Sequence, residues 1–171
     1  MASLMIVADL LEAMSKNLKQ YLETNNIESP AVIGIRSGGV WVAEYLHKKL
    51  ACETPMGELD ISFYRDDFTR KGLNPMVKPS SLPFETEGKD IILVDDVIMS
   101  GRTIRAAMNE IFDYGRPARI ILVSLVDMGN RELPIQPDCV GQVMALSEHG
   151  QVKLLKNTDG TLELKQRGAT K

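Results

Sequence analysis

Apolar residues return three and four positions apart at the start of the chain, at Val7, Leu10, Leu11, Met14, Leu18 and Leu22. Such positions share one helix face, so the pattern predicts an amphipathic helix near residues 7–24. The period then changes. Ala31-Val32-Ile33-Gly34-Ile35 is continuously apolar and reads as a buried strand. Ser37-Gly38-Gly39 turns the chain into a second helix carrying Val40, Ala43, Leu46 and Leu50. Residues 59–64, Leu-Asp-Ile-Ser-Phe-Tyr, alternate as a strand does. Ile91 to Val94 is a second apolar run, and Ile104, Ala107, Met108, Ile111 and Phe112 mark a third helix that Gly115 and Pro117 stop. Ile120 to Val126 is another buried strand, and short strands follow residue 139, around Gly150 and the Asp159-Gly160 turn. Strand, helix and strand in succession predict an α/β domain with a mostly parallel sheet flanked by helices.

Residues 65–88 break the pattern. They hold Gly72, Pro75, Pro79, Pro83 and Gly88 among charges, with neither period. A connection this long inside a compact domain is a solvated surface loop or a functional lid. There are no internal repeats, and 171 residues suit one domain with a full core.

Composition narrows the setting. The chain is 44% hydrophobic and 25% charged with net charge −3, so no global field draws it to DNA or an anionic membrane. No signal peptide or membrane span is evident, which gives a cytoplasmic expectation. Cys52 and Cys139 form no paired motif and read as small buried thiols in a reducing compartment. His47 and His149 have no metal-ligand spacing and read as surface or packing residues.

The candidate chemistry lies where strands end, since ligands of such sheets bind beyond the strands' carboxyl ends. Three loops leave at that edge: Arg36 to Gly39, Asp95 to Thr103, and Asp127 onward. Asp95 and Asp96 close the apolar run, and Met99-Ser100-Gly101-Arg102-Thr103 follows just before a helix. Two carboxylates can accept hydrogen bonds from vicinal ribose hydroxyls. Backbone N–H groups at a helix N-terminus can wrap a phosphate. The bland alternative is a capping pair, but two adjacent carboxylates at a buried strand end repel and lose hydration. Ser37-Gly38-Gly39 taken alone is equally a tight turn, and Tyr64-Arg65-Asp66-Asp67 an exposed charge run.

The run Ile91 to Thr103 resembles the phosphoribosyl pyrophosphate (PRPP) motif of type I phosphoribosyltransferases. That resemblance implies the type I fold, with a small hood at 127–138 and a flexible lid at 65–88 on a single domain spanning 1–171. It implies that Asp95 and Asp96 hold the ribose, that Met99, Ser100, Gly101, Arg102 and Thr103 cradle the 5′-phosphate, and that Arg36, Ser37, Gly38 and Gly39 take the pyrophosphate. Arg65, Asp66 and Asp67 would belong to the lid, with Asp66 and Asp67 near the Mg²⁺ that accompanies PRPP, directly or through water. Purine enzymes of the superfamily carry an acidic residue where this chain has Met99. A thioether does no acid–base work, so a pyrimidine base is expected.

Three stretches narrow the resemblance: 60–67, 94–107 and Leu125 to Ile135, which contains Arg131-Glu132-Leu133-Pro134-Ile135. Together they resemble the PyrR family, pyrimidine-operon regulators with uracil phosphoribosyltransferase activity. The implied reaction is uracil plus PRPP giving UMP plus pyrophosphate, with Asp127, Met128 and Arg131 in the base-binding hood. A homodimer or larger assembly is implied as well. Some members bind leader mRNA and attenuate transcription in response to UMP. Here Met128, Asn130 and Gln136 replace the cationic Arg, His and Arg usual in the family, and Gly38 replaces an Arg. The first helix offers only Lys16 and Lys19 against Asp9, Glu12 and Glu23, which weakens the expectation of RNA binding. A nucleotide-sensing RNA attenuator with little catalysis and a purine phosphoribosyltransferase are the alternative readings.

Overall fold

A computed structural model describes residues 6–61, 80–145 and 150–167. Helix α1 (Val7–Thr24) leads into β1 (Ala31–Ile35), α2 (Gly38–Lys49) and β2 (Gly57–Leu59). β3 (Asp90–Ile98), α3 (Arg102–Tyr114), β4 (Arg119–Asp127) and β5 (Cys139–Val143) follow, and β6 (Gln151–Lys156) and β7 (Leu162–Arg167) end the described chain. One five-stranded sheet has the order β2-β1-β3-β4-β5, with every neighbouring pair parallel. β6 and β7 form the antiparallel hairpin expected around Asp159-Gly160, with Gly160 at φ 88° in the turn.

The continuous apolar runs have a simple cause: both sheet faces are covered. Successive strand residues point to opposite sides. Val32, Ile92, Val94, Ile121, Val123 and Leu125 pack in one cluster with the apolar stripes of α1 and α2 and with the hairpin. Ile33, Ile35, Ile91, Leu93 and Leu122 pack in a second cluster against Ile104, Ala107 and Ile111 of α3. A parallel sheet buried on both sides has no room for polar alternation.

Two expected boundaries differ. The strand expected over 59–64 is seen only as Gly57–Leu59, and Asp60 and Ile61 lie beyond it. The reason is its partner: pairing ends at Ile35↔Leu59, where β1 runs out into the glycine turn. Residues 62–79 lie outside the described residues, and most of the expected lid with them. The described end of that segment, 80–88, is not a free loop: Ser81 exchanges both backbone hydrogen bonds with Glu58, Gly88 donates to the Arg116 carbonyl, and Leu82 and Phe84 pack on the core. Conversely, the strand expected to stop at the acidic pair continues through it to Ile98. β4 still pairs there, through Asp95↔Ser124, Val97↔Val126 and Ile98↔Asp127. No described helix is long and apolar enough to cross a membrane.

Candidate active site

β1 stops pairing with β3 at Gly34↔Val94, which frees the carboxyl end of β3 from that neighbour. The start of α2 drops into the space. A Cβ built on Gly39 would stand 2.6 Å from the Val94 carbonyl oxygen and 3.1 Å from the Asp95 Cα. One on Gly38 would stand 2.1 Å from Asp96 Oδ2. Only glycine allows this approach, so the glycine turn and the acidic pair are in contact. The Arg36–Ser37 peptide bond is cis.

The acidic pair is held by its own backbone. Asp95 is buried, and its Oδ1 accepts the Asp96 N–H at 2.9 Å; Asp96 Oδ1 accepts the Val97 N–H at 2.8 Å. β4 pairs on either side of Asp96, and its Ser124 hydroxyl donates to the Asp96 carbonyl at 3.4 Å. The next turn reaches α3 through Gly101 at φ 92°, a left-handed conformation that disfavours side chains. Ser100 Oγ accepts the Arg102 N–H at 3.2 Å. The N-terminus of a 13-residue helix thus opens beside two fixed carboxylates.

The late loop closes over that turn. Arg131 reaches the Met99 carbonyl at 2.9 Å, the Ile135 carbonyl at 2.6 Å and Asp127 Oδ2 at 2.7 Å. Glu132 and Leu133 donate their N–H groups to the Ser100 carbonyl at 2.9 and 3.1 Å, and Glu132 accepts from Arg102 Nε at 2.7 Å. Burial pushes the Asp127 carboxyl up, but the Arg131 guanidinium and the Gly129 N–H outweigh it and hold the group below its usual range. Asp127 and Arg131 are therefore a clamp on the turn. Met128, also expected in the hood, buries its side chain in the core on the α1 side of the sheet. Met99 is 40% exposed beside the acidic pair.

The structure thus brings together residues 36–39, 95–96, 99–103 and the loop from 127. Arg65, Asp66 and Asp67 lie outside the described residues. Sequence reasoning missed Glu58 and Asp60, whose carboxylates face Arg36; Glu58 lies outside the strand expected over 59–64 and Asp60 beyond the observed one, so no strand pattern marked the two as a pair. Cys139 is buried, its thiol pushed up to about 11 by burial and then by Asp138, whereas Cys52 is only half-buried. The His47 ring nitrogen Nε2 lies 2.8 Å from the Thr54 carbonyl, a packing contact, and His149 lies outside the described residues.

A parallel sheet whose strands end in glycine turns, one of them packed against a fixed acidic pair, is the fold of a type I phosphoribosyltransferase. The profile described as "Phosphoribosyl transferase domain" matches residues 4–152. A protein of Pseudomonas paraeruginosa (strain DSM 24068 / PA7) named Bifunctional protein PyrR is 56% identical over 158 residues, covering 92% of this chain and 93% of that protein. Its namesake in Pseudomonas fluorescens is 55% identical over 157 residues, covering 92% and 94%. This chain belongs to the PyrR family. Among solved structures, a hypoxanthine-guanine phosphoribosyltransferase of Bacillus anthracis matches with TM-score 0.68 at 20% identity, covering 85% of each chain. A hypoxanthine phosphoribosyltransferase of Staphylococcus aureus matches at 0.64 and 20% identity, covering 87% of this chain and 80% of that one. At such identity these two show the fold alone.

Phosphoribosyltransferases generally use Mg²⁺ with PRPP. Among the described residues no three His, Cys, Asp or Glu side chains converge on one point. Mg²⁺ suits such a site, because it keeps its waters and takes phosphate oxygens with one or two carboxylates. Asp95 and Asp96, beside the glycine turn, fit that requirement.

Proposed function

We propose that this protein transfers the phosphoribosyl group of PRPP to uracil, giving UMP and pyrophosphate. The contact between Gly38 and Asp96 carries the reading, because a glycine turn packed against an acidic pair supports one site that takes pyrophosphate and ribose together. Asp95 and Asp96 accept hydrogen bonds from the two ribose hydroxyls. Met99 to Thr103 offer backbone N–H groups and the Ser100 and Thr103 hydroxyls to the 5′-phosphate. Arg36 to Gly39 receive the pyrophosphate. Mg²⁺, when bound with PRPP, neutralises pyrophosphate charge, and Asp95 and Asp96 would hold it through oxygen or water.

A uracil nitrogen forms its bond to C1′ as the bond from C1′ to pyrophosphate breaks, and the proton on that nitrogen passes to the departing pyrophosphate or to water. The sugar passes through a cation-like state, so the task of the chain's residues is to orient the partners and keep water from C1′. We assign water exclusion to the part of the expected lid before residue 80, whose sequence offers Arg65 as a cation for pyrophosphate and Asp66 and Asp67 as carboxylates for magnesium or its waters. The loop from Asp127 covers the base side, with Arg131 as its clamp. Met99 supplies no proton, which favours a pyrimidine over a purine. One phosphoribosyltransferase domain spans the chain and works as a homodimer or larger assembly. The relatives' name, Bifunctional protein PyrR, supports a second, UMP-responsive role in regulating pyrimidine genes.

Purified protein supplied with uracil, PRPP and Mg²⁺ is expected to form UMP, and absence of UMP overturns the reading. With hypoxanthine and guanine in the same mixture, uracil is expected to be consumed first. Asp96→Asn is expected to weaken PRPP binding with the thermal transition unchanged; equal PRPP affinity removes Asp96 from the site.

A further inference from the structure

We propose that Glu58 is a positioning residue that aims Arg36 at the pyrophosphate half of the site. The proposal rests on the reading above, in which residues 36–39 take the pyrophosphate. Arg36 leaves the end of β1 with its N–H on the Leu59 carbonyl at 2.9 Å. Its side chain turns to the β2 side. There Nε lies 2.9 Å from Glu58 Oε2, and Nη1 lies 3.9 Å from Asp60 Oδ2. An arginine at a loop has many rotamers, and a carboxylate at Nε selects among them.

Glu58 can do this because its own backbone is fixed. Its N–H donates to the Ser81 carbonyl at 2.8 Å, and its carbonyl accepts the Ser81 N–H at 2.8 Å. Gly57 packs so closely that a Cβ would stand 2.8 Å from Leu82 Cδ2. Asp60 donates its N–H to Ser80 Oγ at 3.1 Å, and that hydroxyl in turn hydrogen-bonds to Glu110 on α3. The frame behind the arginine is therefore tied to the sheet, to the segment at 80–82 and to α3. Stability does not account for the pair. The Arg36 and Glu58 side chains are 21% and 35% exposed, and in a part-buried pair the cost of desolvating both charges offsets much of their attraction. Holding a cation beside a glycine turn that receives phosphate does account for it.

The test measures binding of PRPP, of pyrophosphate and of UMP in Mg²⁺ buffer by calorimetry, for wild type, Glu58→Ala, Glu58→Gln, Arg36→Ala and the double variant. UMP lacks pyrophosphate and serves as the control for folding and for the 5′-phosphate cradle. Glu58→Ala is expected to weaken PRPP and pyrophosphate about tenfold, the loss of one charge-assisted contact. UMP affinity is expected to stay within about twofold. Glu58→Gln keeps an oxygen acceptor and is expected to recover most of the loss. Removing Glu58 in the Arg36→Ala background is expected to cost nothing more. PRPP affinity unchanged or tightened in Glu58→Ala overturns the proposal, as does a full Glu58 effect without Arg36. Wild type that binds PRPP yet makes no UMP from uracil overturns the substrate reading instead, and the Glu58 comparison still stands or falls on binding.

Discussion

Gly38 carries no side chain because the Asp96 carboxylate occupies the place where one would go. Its own backbone sits at the start of α2, where alanine is at home. Gly38→Ala is therefore expected to fold while displacing Asp96 and breaking its bond to the Val97 N–H, at a stability cost of about 1 kcal/mol. PRPP affinity should drop more than about tenfold, read by titration beside a thermal melt; a large loss of stability with normal affinity contradicts the account. Arg131 allows a second test at this scale. Its pair with buried Asp127 is the kind whose breakage costs about 3 kcal/mol, because a charge is left without its partner. The Asp127 carboxyl is held below its ordinary value in the folded protein. Its contribution is thus complete above the unfolded-chain value near ~3.9 and is lost as pH falls through the folded value. Urea unfolding of Arg131→Ala should show a deficit that is widest near neutrality and shrinks toward strongly acidic pH. A deficit independent of pH rules out the ion pair as its cause.

At the scale of elements, the turn into α3 depends on Gly101 at φ 92°, with Ile135 Cβ 3.4 Å from where an added Cβ would stand. Gly101→Ala should cost about 1–2 kcal/mol in thermal unfolding and weaken UMP, if the same turn holds the 5′-phosphate as proposed. Loss of stability without loss of UMP affinity separates the turn from the site. Elements were legible where burial alone dictates them. β1 is five apolar residues, and α1 is an amphipathic stripe; both fall where the pattern puts them. The apolar pattern ends β3 at Val94 because Asp95 and Asp96 look like the end of the run, yet pairing with β4 continues past them. β2 was displaced because its extent depends on where β1 stops, a fact of the partner strand. The same division holds in the site. Asp95, Asp96 and the glycine turns announce their chemistry locally. The Arg36–Glu58 and Arg131–Met99 contacts join segments 22 and 32 positions apart, and no local pattern encodes them.

Across the whole molecule, the question is whether the surface can also hold a nucleic acid. Affinity for RNA comes chiefly from cations that neutralise phosphates and release counterions, so it is read in the salt dependence. Here the arginines of the late loop and the turn are already spent on carboxylates: Arg131 on Asp127 and Arg102 on Glu132, both at 2.7 Å. Lys49 faces Glu12 at 3.1 Å, so α1 adds a carboxylate to that face. Net charge is −3, and Met128, where a cation was the family expectation, is buried in the core. Few phosphates can then be neutralised at once. Fluorescence anisotropy of a labelled pyrimidine-operon leader RNA, between about 50 and 200 mM salt, should give a log–log slope smaller in magnitude than about 2, with dissociation constants no tighter than micromolar. A UMP-responsive regulatory role requires UMP to shift this affinity, and identical curves with and without UMP overturn that role. Tight binding with a slope beyond about 4 would mean that RNA separates these ion pairs and takes their arginines. Glu132→Gln tests that directly: releasing Arg102 from its carboxylate should steepen the slope by about one unit or less, and a larger change would show that the pairing suppresses an RNA surface.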